Sequence, residues 1–81
     1  MKRRHAIWHK VKKEAAARDG YRCILCGAPA TDVHHVVFRS QGGKDDVNNV
    51  VCLCRACHEA AHGIGAKHYR ELFKKYLEGK A

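Results

Sequence analysis

Apolar positions recur at helical spacing in two stretches of the chain, one near each end. Over residues 5 to 19, Ile7, Val11 and Ala15 fall on one stripe with Trp8 beside it, and Lys10, Lys12, Lys13 and Arg18 take the other faces. Asp19-Gly20 closes that predicted helix. Over residues 66 to 78, Tyr69, Leu72, Phe73, Tyr76 and Leu77 stand at i, i+3, i+4, i+7 and i+8. That is a core-packing stripe, and it assigns those aromatics to the interior. Lys67, Arg70, Lys74 and Lys75 lie off the stripe, either as a solvated face or as phosphate contacts.

Between them, residues 21 to 63 lose the helical period. Residues 33–38 and 47–53 are short runs rich in β-branched side chains, and 39–46 is too long for a tight hairpin turn. Two strands joined by a loop follow. Residues 55–62 have helix-forming composition, with Gly63 as the expected C-cap. The predicted class is therefore α+β, a single domain over residues 1–81: an N-terminal helix, a β-β-helix core and a C-terminal packing helix.

At 81 residues such a domain buries little surface, so a staple is expected. The five cysteines offer one. No apolar stretch follows Met1, only Lys2-Arg3-Arg4, which predicts a cytoplasmic chain in which paired cysteines bind metal instead of forming disulfides. No apolar run approaches the length needed to span a membrane. Cys23-x-x-Cys26 and Cys54-x-x-Cys57 are two knuckles whose sulfurs complete a tetrahedron around one structural zinc. The 27 residues between the knuckles exceed the usual spacing of about 15 to 20, as an inserted functional element would. Cys52 alternates with Val50 on the second strand and reads as a small buried hydrophobe.

A zinc held by four cysteines has no open position, so chemistry must come from elsewhere. Four of the seven histidines gather within the stapled segment: His34 and His35 on the first strand, His58 and His62 on the short helix. The i, i+4 spacing aims His58 and His62 at one point, and a strand histidine would complete a three-nitrogen site with open positions. His5, His9 and His68 are assigned to the surface. The charge adds a partner: 16 Lys and Arg against 8 Asp and Glu give +8, about +6 after four thiolates and one zinc. A basic balance in two clusters points to nucleic acid.

Taken together, Cys23-x2-Cys26, His34-His35, Arg39-Ser40-x-Gly42-Gly43, Asn49-x4-Cys54-x2-Cys57-His58-x3-His62 resembles the HNH endonucleases in their zinc-stapled form, members of the ββα-metal (His-Me finger) nucleases. The resemblance implies metal-dependent hydrolysis of DNA phosphodiester bonds. It matches His35 to the general base, His34 and His58 to ligands of a catalytic Mg²⁺, Mn²⁺, Ni²⁺ or Zn²⁺, and His62 to a further ligand. Asn49 matches the residue that braces the loop between the strands. Adjacent strand residues face opposite ways, so His34 and His35 divide into ligand and base, with a twist or bulge to bring both near one phosphate. Arg39 is read either as a phosphate clamp or as a solvated loop arginine, Asp45 and Asp46 as turn formers, and Gly42-Gly43 as relief of backbone strain. One site per chain implies a nicking monomer, with a dimer as the alternative and no small-molecule cofactor. The competing reading is a non-catalytic zinc-ribbon module that binds DNA.

Overall fold

The computed structural model describes the backbone of residues 2–80 and the side chains of residues 7–80. His5 and the Lys2-Arg3-Arg4 side chains lie outside the described side chains. Helix α1 spans Lys2–Arg18, strand β1 Asp32–His35, strand β2 Val50–Leu53, helix α2 Arg55–Ala61 and helix α3 Ala66–Lys80. Single 3-10 turns at Arg39–Gln41 and Val47–Asn49 punctuate the long connection between the strands.

β1 and β2 pair antiparallel, with Asp32 opposite Leu53, Val33 opposite Cys52, His34 opposite Val51 and His35 opposite Val50. Because side chains alternate, this register sorts the sheet into two faces. Val33, Val50 and Cys52 face α1 and pack with Trp8, Val11 and Ala15. Val51 and Leu53 face the other helices and pack with Ala61 of α2 and Phe73 and Leu77 of α3. All four residues of β2 are buried, so β2 lies between two helical layers and reads as a continuous apolar run. Cys52 belongs to that interior, where burial pushes its thiol up to about 12.

The elements differ from the expected ones at their edges. The strands are four residues each instead of residues 33–38 and 47–53: the Val36 amide still donates to the Asn49 carbonyl at 2.7 Å, but the Asn49 amide turns back to Asp46 and the Val37 amide is taken by Asn49 Oδ1 at 2.9 Å. Helix α1 begins earlier than residue 5 and ends at Arg18, and α3 runs to Lys80 instead of residue 78. Ile7 does not join the buried stripe, being 55% exposed, and Leu72 is 39% exposed at the margin of the α3 stripe. Helix α2 stops at Ala61 through a tightened turn, in which the amides of His62 and Gly63 donate to Glu59 and Ala60, so Gly63 is not a left-handed cap.

Arg18, off the apolar stripe of α1, is not turned to solvent, its side chain being 16% exposed. It donates through Nη1 to the Val47 carbonyl at 2.7 Å and through Nη2 to the Val50 carbonyl at 2.8 Å. Its Nε and Nη2 also grip Asp19 at 2.7 and 2.8 Å. Asp19 in turn accepts from the Cys52 amide at 3.1 Å and from the Tyr76 hydroxyl. Its side chain is 0% exposed, so the end of α1, the centre of β2 and α3 meet on one carboxylate.

Candidate metal centres and catalytic cleft

The first knuckle is shaped by backbone. The Cys23 amide donates to the Ala28 carbonyl at 2.7 Å, and the Gly27 amide returns to Cys23 at 3.0 Å with Gly27 at φ +80°, a conformation that favours glycine. The second knuckle is a helix start: Cys54 is the N-cap of α2 and Cys57 lies in its first turn. The two converge, with the four sulfurs all within 4.8 Å of one another. Cys26 Sγ and Cys54 Sγ stand 3.6 Å apart. A disulfide needs about 2.05 Å, whereas sulfurs at about 2.3 Å from one zinc are separated by about 3.8 Å. The cluster therefore fits a tetrahedral metal ion. Burial works against ionisation of Cys23, but backbone N–H groups of Cys54, Cys26 and Leu25 bring its thiol down to about 6, towards the thiolate a metal binds.

The second cluster joins His34 of β1 with His58 of α2 and His62 just past its end, one ring nitrogen of each within 4.8 Å of the others. His34 lies on the α2/α3 side of the sheet and is 3% exposed. Its ring meets His58 at 5.1 Å, His62 at 5.0 Å and Phe73 at 5.3 Å between centroids. His34 Nδ1 is the one buried side-chain nitrogen or oxygen among the described residues with no hydrogen-bond partner. Burial, and then the neighbouring His58, His62 and His35, lower its pKa to about 4, so it is a neutral imidazole with a lone pair at pH 7. A buried, neutral, unpartnered histidine beside two others is a donor set that suits a divalent cation.

Two side chains that the sequence did not single out hold this cluster. Asp32 Oδ2 lies 2.7 Å from His58 Nδ1, which leaves His58 Nε2 facing His62 Nε2 at 3.0 Å. The bond to His58 holds the Asp32 carboxyl below the usual carboxylate range. A carboxylate behind a ligating histidine fixes its tautomer and its aim. Phe38 stacks on His62 at 5.0 Å with planes 17° apart, so it orients the most exposed of the three imidazoles. The available signal was Asp32 itself, two residues before His34 and on the same strand face.

His35 goes to the opposite face, under α1, where Trp8 stacks on it at 4.8 Å. The ladder runs through His35 with no bulge. β1 pairs on one side only, and an open cleft of about 480 Å³ is lined from both faces: Trp8, Val33 and His35 together with His58, His62 and Phe38. Arg39 also lines this cleft. It is neither a wholly solvated arginine nor an unattached clamp, because its Nε donates to Asp45 Oδ1 at 2.9 Å and its guanidinium lies 4.8 Å over the Trp8 ring.

Asn49 sits where the loop returns. Its Nδ2 donates to the Val37 carbonyl at 3.1 Å and to the Lys44 carbonyl at 2.9 Å, drawing both ends of the loop together. Gly43 is required for a reason other than strain relief, since a Cβ there would lie 1.7 Å from the Val37 carbonyl oxygen. Of the expected turn formers, Asp46 does cap the next turn by accepting from the Asn48 amide at 2.8 Å. Asp45 instead turns inward to His35 and Arg39, a correction to the reading of it as a turn former.

A family model described as HNH endonuclease matches residues 23–63, just over half of the 81-residue chain. Among curated proteins, the chain is 31% identical over 55 residues to "Anaredoxin" of Nostoc sp., covering 65% of this chain and 72% of that protein. It is 42% identical over 48 residues to "Type IV methyl-directed restriction enzyme EcoKMcrA" of Escherichia coli, covering 59% of this chain and 17% of the relative. It is also 45% identical over 38 residues to "Probable mobile endonuclease C" of Enterobacteria phage T4, covering 47% and 18%. The chain thus spans less than a fifth of the length of the last two.

Proposed function

The chain belongs to the HNH endonuclease family, and from that premise we propose that it is a metal-dependent endonuclease that hydrolyses DNA phosphodiester bonds. The observation that carries this reading is the shared cleft, which His35 lines together with His58 and His62, the two more open members of the cluster that His34 completes. A zinc-ribbon module would leave all four histidines without a task. The two endonuclease relatives support nucleic acid as the substrate, as does the net charge of +8.

In this reading the four cysteines hold a structural zinc, and His34, His58 and His62 hold the catalytic divalent ion, drawn from Mg²⁺, Mn²⁺, Ni²⁺ and Zn²⁺. Such an ion supplies Lewis-acid stabilisation of the charged phosphorane and of the leaving oxygen. His35 acts as general base: Asp45 occupies Nε2, so Nδ1 takes the proton of the attacking water. The water oxygen bonds to phosphorus, the P–O3′ bond breaks, and the departing oxygen takes a proton from solvent. Asn49 keeps the loop closed over this arrangement, and Arg39 contacts phosphate from the cleft wall. Lys12 and Lys13 of α1 line an adjoining groove of about 660 Å³ that meets the cleft at Val33, a path for the charged backbone.

One chain carries one such site, so a monomer nicks. Metal-stripped protein given each of the four ions separately should convert supercoiled plasmid to the open circle before any linear form accumulates. Absence of cleavage with every ion would overturn the nuclease reading, and direct conversion to linear product would overturn nicking by a monomer.

A further inference from the structure

A general base has to present one lone pair in one direction, yet an imidazole at a strand end rotates about two bonds and exchanges its proton between two nitrogens. Four side chains close a ring around this problem. The indole of Trp8 and the imidazole of His35 stack with planes 26° apart and centroids 4.8 Å apart. The Arg39 guanidinium covers the same indole at 4.8 Å. Arg39 Nε reaches Asp45 Oδ1 at 2.9 Å, and that oxygen also lies 2.9 Å from His35 Nε2. Helix α1, strand β1 and the connection between the strands each contribute, so the ring forms only when the whole fold is in place.

We propose that Asp45 is the positioning residue of this site: its carboxylate holds His35 as the Nε2–H tautomer and aims Nδ1 into the cleft, while Arg39, braced on Trp8, fixes the carboxylate. The catalytic consequence rests on the nuclease reading above, and the geometry of the ring does not. The His35 and Asp45 side chains are 13% and 12% exposed, so water competes weakly for their bond. Burial opposes ionisation of Asp45, but the bonds from Arg39 and His35 hold its carboxyl below the usual range, and it is an ionised acceptor at neutral pH. Asp46 next to it does the capping, accepting from the Asn48 amide at 2.8 Å. Nothing in the local sequence marks this pairing, because it joins residues ten apart through a loop whose course Asn49 and Gly43 decide.

The test uses the full chain in steady-state cleavage with the best-supporting metal. Asp45→Ala should lower kcat by about 10- to 100-fold with KM and zinc content unchanged, and Asp45→Glu should recover most of the loss. In a His35→Ala background, Asp45→Ala should cost nothing further. A kcat within twofold of the parent, or an equal loss in both backgrounds, would overturn the proposal. A second readout needs no turnover: ¹⁵N chemical shifts of the zinc-loaded protein at about pH 8, where a free histidine is neutral, should show His35 as the Nε2–H tautomer and Asp45→Ala as a mixture. A wild-type chain inactive with every metal but locked in that tautomer would sink the nuclease reading alone. A tautomer mixture in the wild type would sink the role of Asp45 whatever the activity.

Discussion

At the scale of single residues, the histidine cluster is backed by a carboxylate outside it. Asp32 accepts from His58 Nδ1 at 2.7 Å and also faces Arg55 at 3.5 Å, so the charge that orients His58 is itself anchored. Asp32→Asn keeps the size of the side chain and removes the charge. It should weaken metal binding at the three-histidine site by about 10- to 100-fold while leaving the four-cysteine site loaded, as calorimetric titration of zinc-reconstituted protein would measure. Equal affinity in the variant would mean that Asp32 merely neutralises Arg55. His34, His35, His58 and His62 were legible in the sequence because each follows from a local rule: alternation on a strand, or i, i+4 on a helix. Asp32 and Asp45 were not, because their partners lie 26 and 10 residues away. Which histidine each meets is decided by strand register and loop course.

At the scale of elements, the helices and strands themselves were legible from periodicity, and their ends were not. Residues 33–38 are rich in β-branched side chains to Val37, yet the ladder stops at His35 because Asn49 offers its side chain to Val37 in place of a partner strand. In the same way Arg18 and Asp19 read as the polar end of a helix and are the joint between α1, β2 and α3. Arg18 and Tyr76 stabilise the Asp19 anion, with the Cys52 amide adding a third donor, and together they outweigh burial and lower its pKa. A group depressed in the folded state contributes stability that is complete above its unfolded pKa of about 3.9 and is lost as pH falls through the lower folded value. Asp19→Ala should therefore cost about 2–3 kcal/mol at neutral pH. The gap from the parent in urea melts should narrow as pH drops below about 4. A gap that stays constant down to about pH 2 would show that the loss came from packing and not from the charge.

At the scale of the whole molecule, the two metal clusters sit at the two ends of one short helix. Cys54 and Cys57 begin α2, and His58 and His62 run through its end. A zinc held by the four cysteines would tie the 22–30 loop to the start of α2 and so set the second cluster against β1. The Ile24 amide donates to the Cys52 carbonyl at 3.1 Å and extends that tie to β2. α1 closes the other face of the sheet, bringing Trp8 to His35 and Lys12 and Lys13 to the groove that shares Val33 with the cleft. In the proposed function, staple, ligands and base occupy separate places, so the metals and the fold should survive loss of the base, and the chemistry should not. His35→Ala tests it most directly, with cleavage of a defined DNA duplex measured at saturating protein and metal. The account predicts a single-turnover rate lower by about 10²- to 10⁴-fold, with DNA affinity, metal content at both clusters and thermal stability retained. A His35→Ala protein that cleaves within a few-fold of the parent would contradict it.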